Sequence, residues 1–171
     1  MRPVLHGTQV TLRPATADDA EALAAVLAEP EVARWWPSYD ADRVRAELID
    51  ASDTTAFAIE VDDADALVGA ILYVEEHSPD YRHASVDVFL HPDWHGKGLG
   101  TDAVRTLAKH LIHDRAHHRL AIDPAADNEK AIRTYKRVGF REVGVMRAYE
   151  RAADGSWQDC LLMDLLERDL H

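Results

Sequence analysis

Two segments of the chain hold residue types whose spacing can do chemistry. In the first, His95-Gly96-Lys97-Gly98-Leu99-Gly100-Thr101 follows the apolar run Val86 to Leu90 and leads straight into an amphipathic stretch. A strand, a glycine-rich turn and a helix start aim several backbone N–H groups, and the positive end of the helix dipole, at one point. That arrangement binds an anion. The spacing is not G-x-x-x-x-G-K-[ST], and it misses G-x-G-x-x-G because the third glycine would fall on Thr101. It fits Arg/Gln-x-x-Gly-x-Gly/Ala except at His95. In the second segment, Asn128 precedes Ala131, Ile132 and Tyr135, which share one helix face, and Gly139-Phe140 closes the run. Taken singly, the glycines also suit a tight loop and the tyrosine a core position. Asp87 lies between Val86 and Val88, so it points away from their face of a strand.

These residues need elements to hold them. "TQVTLRPAT" alternates as a strand, and "TADDAEALAAVLAEP" reads as a helix capped by Thr16 or Asp18 and ended by Pro30. Two short helices follow around Pro37. "TAFAIEV" and "ALVGAILYVEE" form a hairpin across the acidic turn "DDAD", and "HASVDVFLHP" is the next strand. A helix over residues 100–114 buries Val104, Leu107, Leu111 and Ile112. "HRLAIDP" is a short strand, "DNEKAIRTYKRVGF" a helix with Asp127 near its N-cap and Gly139 near its C-cap, and "REVGVMRAYERA" and "SWQDCLLMDLLE" are closing strands around "ADGS". Hairpins first and crossover helices later predict an α/β chain of α+β type. Its single mixed, mostly antiparallel sheet has about seven strands flanked by helices, in one domain over residues 1–171.

Composition narrows the partners. A chain of 171 residues, 47% of them apolar, can bury a full core. Lys plus Arg number 19 against 31 Asp plus Glu, a net charge of −12. This field repels nucleic acid and anionic membranes and attracts cations. No stretch of about 18 apolar residues is present, and the N-terminus lacks the apolar core of a signal peptide, so a cytoplasmic protein is expected. The lone Cys160 lies in an apolar run and reads as a buried thiol. His110, His113 and His117 could share a helix face, but no H-E-x-x-H pattern or further ligand accompanies them. No metal is expected.

In this order and spacing, the two segments resemble the GNAT superfamily of acetyl-coenzyme A-dependent N-acetyltransferases, most sharply from Val86 to Phe140. The resemblance implies that the glycine turn, His95 to Thr101 (His95, Gly96, Lys97, Gly98, Leu99, Gly100, Thr101), binds the pyrophosphate of coenzyme A. It places the backbone of Phe89 and Leu90 beside the thioester, Asn128 and Ala131 along the pantetheine arm, and Tyr135 at the sulfur. His95 departs from the family's usual Gln or Arg. Within the family, "ARWWPS", "GKGLGTDAVRTL" and "IDPAADNEKAIRTYKRVGF" look like the aminoglycoside 6′-N-acetyltransferases. That likeness implies Asp87 as a base or an anchor, Asp123 as a ligand of substrate amines, and Trp35 and Trp36 over the acceptor. Tyr39, Glu76 and Asp159 are further candidates for the acceptor pocket. The expected reaction moves acetyl from acetyl-coenzyme A to a primary amine of a cationic small molecule, at the 6′-amine of an aminoglycoside, by a monomer or homodimer. The alternatives are a protein N-terminus or a polyamine as acceptor, or an idle acyl-coenzyme A sensor.

Overall fold

The computed structural model describes residues 2–171. Eight strands make one sheet in the order β1-β2-β3-β4-β5-β6-β8-β7. They are β1 (Leu5–His6), β2 (Val10–Pro14), β3 (Thr54–Val61), β4 (Ala66–Glu76), β5 (His83–Leu90), β6 (Arg119–Ile122), β7 (Arg141–Arg151) and β8 (Trp157–Leu166). Every neighbouring pair is antiparallel except β5 and β6. The mixed sheet flanked by helices is the one expected from sequence, with one strand more. The addition is β1, whose two residues are too few to show an alternating pattern.

Strand residues face the two sides of the sheet in turn, and each side has its own cover. On one side lie α4 (Leu99–Lys109), prolonged by a wider π-helical turn at His110–Asp114, and α5 (Glu129–Val138). Phe57, Ile71, Val86, Leu107, Leu111 and Tyr135 are buried there. On the other side, α1 (Ala20–Leu27), α2 (Pro30–Ala33) and α3 (Ala41–Val44) bury Leu23, Leu27, Val44, Leu72 and Phe89. Leu107 is fully buried, and Leu107→Ala would cost about 2–5 kcal/mol by the cavity it leaves.

Helix ends follow from single residues. Asp40 caps α3 by accepting the Arg43 N–H at 2.8 Å, and Asn128 caps α5 by accepting the Ala131 N–H at 3.3 Å. Asp102, buried in the first turn of α4, accepts the N–H groups of Thr8 (3.0 Å), Gln9 (2.8 Å) and Val10 (3.1 Å). The turn before β2 is thereby pinned to the start of α4.

The feature that makes a site is a failure of pairing. β5 and β6 touch only at Ala84↔Leu120 and Ser85↔Ala121. Beyond that point β5 stays on β4 as far as Leu90, while β6 stays on β8 and ends at Ile122. Pro124 follows, with no N–H to extend a ladder. The sheet therefore opens as a wedge, and its free backbone groups are available to a ligand.

Candidate active site

Register determines what lines the wedge. Extending the β5–β6 pairing two residues past Ser85↔Ala121 sets Asp87 opposite Asp123. Asp87 shares the face of Phe89, toward α1–α3, as alternation predicts. His91 donates its N–H to the Val68 carbonyl on β4 at 2.8 Å. Since backbone direction reverses at each residue, the N–H groups of Val88 and Leu90 point into the wedge, and those of Phe89 point to Ala70 on β4. Of the two residues expected to offer backbone to a thioester, Leu90 fits and Phe89 does not. Phe89 instead supplies its ring, packed edge-on to Trp36 at 5.0 Å.

Two cavities meet at the wedge. The smaller, about 580 Å³, is lined by Trp35, Trp36, Tyr39, Asp87, Asp123 and Glu150, among others. The larger, about 960 Å³, runs along Leu90, the glycine turn and the outer side of α5. Trp35, Trp36, Val88, Asn128 and Tyr135 border both. Tyr135 therefore stands at the junction, nearly buried.

In the larger cavity Gly96 and Gly98 adopt φ of 74° and 80°, a left-handed backbone that L side chains avoid. Gly98 is the N-cap of α4, so the N–H groups of Leu99, Gly100 and Thr101 have no intrahelical acceptor. They point out of the helix start beside a chain reversal built from glycine. Gly100 is hemmed by Leu90 and Thr134: a Cβ there would lie 3.4 Å from Leu90 Cδ1 and 3.6 Å from Thr134 Cγ2. A diphosphate fits this cradle. Lys97 leans over the Trp94 ring at 5.8 Å. His95 departs from the sequence expectation. Its Nε2–H donates to the Leu90 carbonyl at 2.8 Å and its backbone N–H donates to Pro92 O at 3.1 Å. It braces the turn and has neither group left for a phosphate. Asn128 spends Oδ1 on the α5 cap and keeps its amide NH₂ for the cavity, and Ala131 lies beside it.

The smaller cavity concentrates negative charge. Asp87 is exposed at the cavity mouth, yet the surrounding protein displaces part of the water around its carboxyl. This desolvation, with Asp123 nearby, pushes its carboxyl up to about 7. Asp123 is raised by desolvation too, against the neighbouring Tyr149 hydroxyl, which favours its charged form. Tyr135 is raised well above a free phenol by burial and by the charges of Asp87 and Asp123. Trp36 stands edge-on to Tyr39 at 5.8 Å, and the Arg43 guanidinium covers the Tyr39 ring at 3.9 Å. Trp35 is covered by Arg34 at 4.4 Å.

Two expected acids are elsewhere. Glu76 ends β4 opposite His83, at the closed end of the β4–β5 pair, and accepts the Ser78 N–H at 2.8 Å. Asp159 accepts the Ala148 N–H at 2.8 Å, filling a bulge where β7 slips against β8 between Met146 and Glu150. The bulge turns Asp159 from the cavity and brings in Glu150, which the sequence reading missed, together with Arg151. Among the described residues, no group of three or more His, Cys, Asp or Glu is arranged to hold a metal ion. No helix of the described residues is long and apolar enough to cross a membrane.

Residues 9–141 match the model of the acetyltransferase (GNAT) domain. The chain belongs to the GNAT acetyltransferase family. Such enzymes use acetyl-coenzyme A, and this one is accordingly an N-acetyltransferase. It is 28% identical over 155 residues to the aminoglycoside N(6′)-acetyltransferase type 1 of Klebsiella pneumoniae, covering 80% of this chain and 76% of that one. Its fold is shared with Mycobacterium smegmatis RimJ in complex with CoA-disulfide (TM-score 0.82, 24% identity, 98% and 88% of the two chains). It is shared equally with the Vibrio cholerae spermidine N-acetyltransferase in complex with CoA and spermine (TM-score 0.80, 21% identity, 95% and 98%). The two left-handed glycines and the unspent N–H groups at the start of α4 suit the acetyl-coenzyme A that this GNAT acetyltransferase must hold.

Proposed function

We propose that this GNAT acetyltransferase acetylates a primary amine of a polycationic small molecule, the 6′-amine of an aminoglycoside. The observation that carries this reading is the smaller cavity. Asp87, Asp123 and Glu150 converge there beneath the aromatic walls Trp36 and Tyr39, next to Tyr135. Several carboxylates hold the extra ammonium groups of such an acceptor, and flat rings suit the faces of its sugars. The 28% identity with an aminoglycoside 6′-acetyltransferase supports the same class.

The chemistry follows from the residues. A primary amine at pH 7 is mostly ammonium and needs its proton removed before it can attack. With its carboxyl near 7, Asp87 takes that proton directly or through water at neutral pH. The Leu90 N–H faces the wedge and stabilises negative charge growing on the acyl oxygen, an effect worth about 3–4 kcal/mol where comparable donors have been removed. Tyr135 keeps its proton across the working pH range and supplies it to the departing thiolate. The cradle at Gly96–Thr101, with Asn128 and Ala131, holds the rest of the coenzyme.

The test is a thiol-release assay with acetyl-coenzyme A against kanamycin-type aminoglycosides with and without a 6′-amine, spermidine, and peptides with free N-termini. Turnover confined to 6′-amino aminoglycosides is expected. Turnover of spermidine or peptides without them overturns the acceptor assignment and leaves the acetyltransferase intact.

A further inference from the structure

The outer side of α5 carries a row of cations that neither cavity's assigned chemistry uses. Thr134 packs close to Gly100, where an added Cβ would lie 3.6 Å from its Cγ2. Lys130, Thr134 and Arg137 stand at i, i+4 and i+7 on one stripe of the helix, and Arg133 lies next to Arg137 at i−4. All four line the larger cavity. The exposed Arg133 pairs only loosely with Glu129, at 3.9 Å, while Lys136 on another side of the helix is spent on Glu142 at 2.8 Å. Lys130 and Arg137 make no ion pair among the described residues. Like charges at this spacing weaken a helix, and the chain as a whole carries −12. A row of cations with so few internal partners is complementary to an external anion.

The pyrophosphate is already matched by the N–H groups of Leu99, Gly100 and Thr101. Coenzyme A carries a third phosphate, on the ribose 3′-oxygen, beyond the pyrophosphate and away from the thiol. Lys130, Arg133 and Arg137 are exposed where α5 borders the larger cavity, whereas Tyr135, at the thiol end, is buried. We propose that Arg133 and Arg137, with Lys130 beside them, recognise the 3′-phosphate, so that the enzyme discriminates coenzyme A from its 3′-dephospho form. Guanidinium groups suit this task because their planar donor forks match phosphate oxygens. The inference rests on the larger cavity being the coenzyme site.

Isothermal titration of coenzyme A and 3′-dephospho-coenzyme A into the native protein and into Arg133→Gln/Arg137→Gln tests it. The native protein should bind coenzyme A at least about tenfold more tightly, the equivalent of one retained charge-assisted contact. The double variant should close most of that gap by losing affinity for coenzyme A alone, and Arg133→Lys/Arg137→Lys should recover part of it. Equal binding of the two ligands by the native protein overturns the proposal, without need of any variant. A gap that survives in a folded double variant also overturns it. If neither ligand binds at millimolar concentration, the coenzyme site itself is wrong, a different and distinguishable failure.

Discussion

The two cavities share a wall and answer to opposite charges. Around the smaller stand Asp87, Asp123 and Glu150, opposed by Arg43 and Arg151. Arg43 is committed to the Pro37 and Ser38 carbonyls and to Glu47, which leaves the carboxylates in excess. Around the larger stand Arg34, Lys130, Arg133 and Arg137, against Glu31 and against Asp127 and Glu129, the last two only loosely paired to the cations at 3.6 and 3.9 Å. A chain of net charge −12 has thus gathered cations on one side of Tyr135 and acids on the other. Net charge describes the long-range field. The local sorting, set by which helix face and which strand end line each cavity, decides what binds where. The contrast implies that damage to one cavity should leave affinity for the other cavity's ligand intact.

The largest effect should come from Asp87, which lines the smaller cavity next to Val88, a residue that borders both. Asp87→Asn is expected to lower kcat by about 10²- to 10⁴-fold, the range of a lost general base. Native activity should rise with pH through about 7, as Asp87 loses its proton, and the variant should lack that limb. Stability should move the other way. A carboxyl whose folded value lies above its unfolded value of 3.8 binds its proton more tightly when folded, so the native protein loses stability between about pH 4 and 7. Asp87→Asn removes that loss and should melt higher than the native enzyme at pH 8. A variant with full kcat, or one that melts lower at pH 8, would refute the assignment.

Tyr135→Phe comes next, with kcat lower by roughly 10²-fold, the low end of general acid catalysis. Only a hydroxyl is lost, so the KM values for both substrates should hold, and equilibrium binding of coenzyme A should be unchanged. An undiminished kcat would reduce Tyr135 to a packing residue shared by the two cavities. Gly98→Val should act on the larger cavity alone. Its φ of 80° costs an L residue roughly 1–2 kcal/mol. No crowding adds to this, since a Cβ there meets only Gln9 Nε2 at 3.7 Å. The branched side chain projects beside N–H groups that a diphosphate must approach. The KM for acetyl-coenzyme A should rise roughly 10- to 100-fold, as one or two charge-assisted contacts are lost, with the acceptor KM unmoved.

Much of this contrast is legible in the sequence where local chemistry rules. The cradle reads from Gly96, Gly98 and the amphipathic start of α4, because glycine spacing and a helix start are local features. α5 reads from its 3.6 period and terminal Gly139, while its cap, expected near Asp127, falls one residue later at Asn128. Asp87 and Asp123 read only through resemblance to a family. Their juxtaposition depends on a parallel register between strands some 35 residues apart, which no local pattern encodes. Glu150 and Asp159 exchange places for a similar reason. The bulge at Ala148, whose φ is 47°, breaks the two-residue alternation that assigns faces. His95 shows a third limit. Its position in the motif marks a phosphate contact, yet the Leu90 carbonyl lies within its reach and accepts its N–H hydrogen bond.

The smallest effects separate the two acids that flank Asp87. Asp123 follows β6 into the wedge and is half-buried. Glu150 is exposed at the end of β7 and shares its carboxylate with the Gln158 amide at 2.7 Å. An ion pair in the recess is weakly screened and charge-assisted, so Asp123→Asn should raise the acceptor KM about tenfold. One at the rim resembles a surface pair worth about 0–1 kcal/mol, so Glu150→Gln should raise it by about fivefold at most. Both changes weaken ground and transition states alike, and kcat should stay near native. Salt distinguishes them further. At about 1 M the screening length falls to roughly 3 Å, so the Glu150→Gln defect should vanish while most of the Asp123→Asn defect persists. The measurement is acceptor KM at low and high salt for the native enzyme and the two variants. If both defects vanish together, the acids act only as a diffuse attracting field, and the smaller cavity has no anchoring carboxylate apart from Asp87.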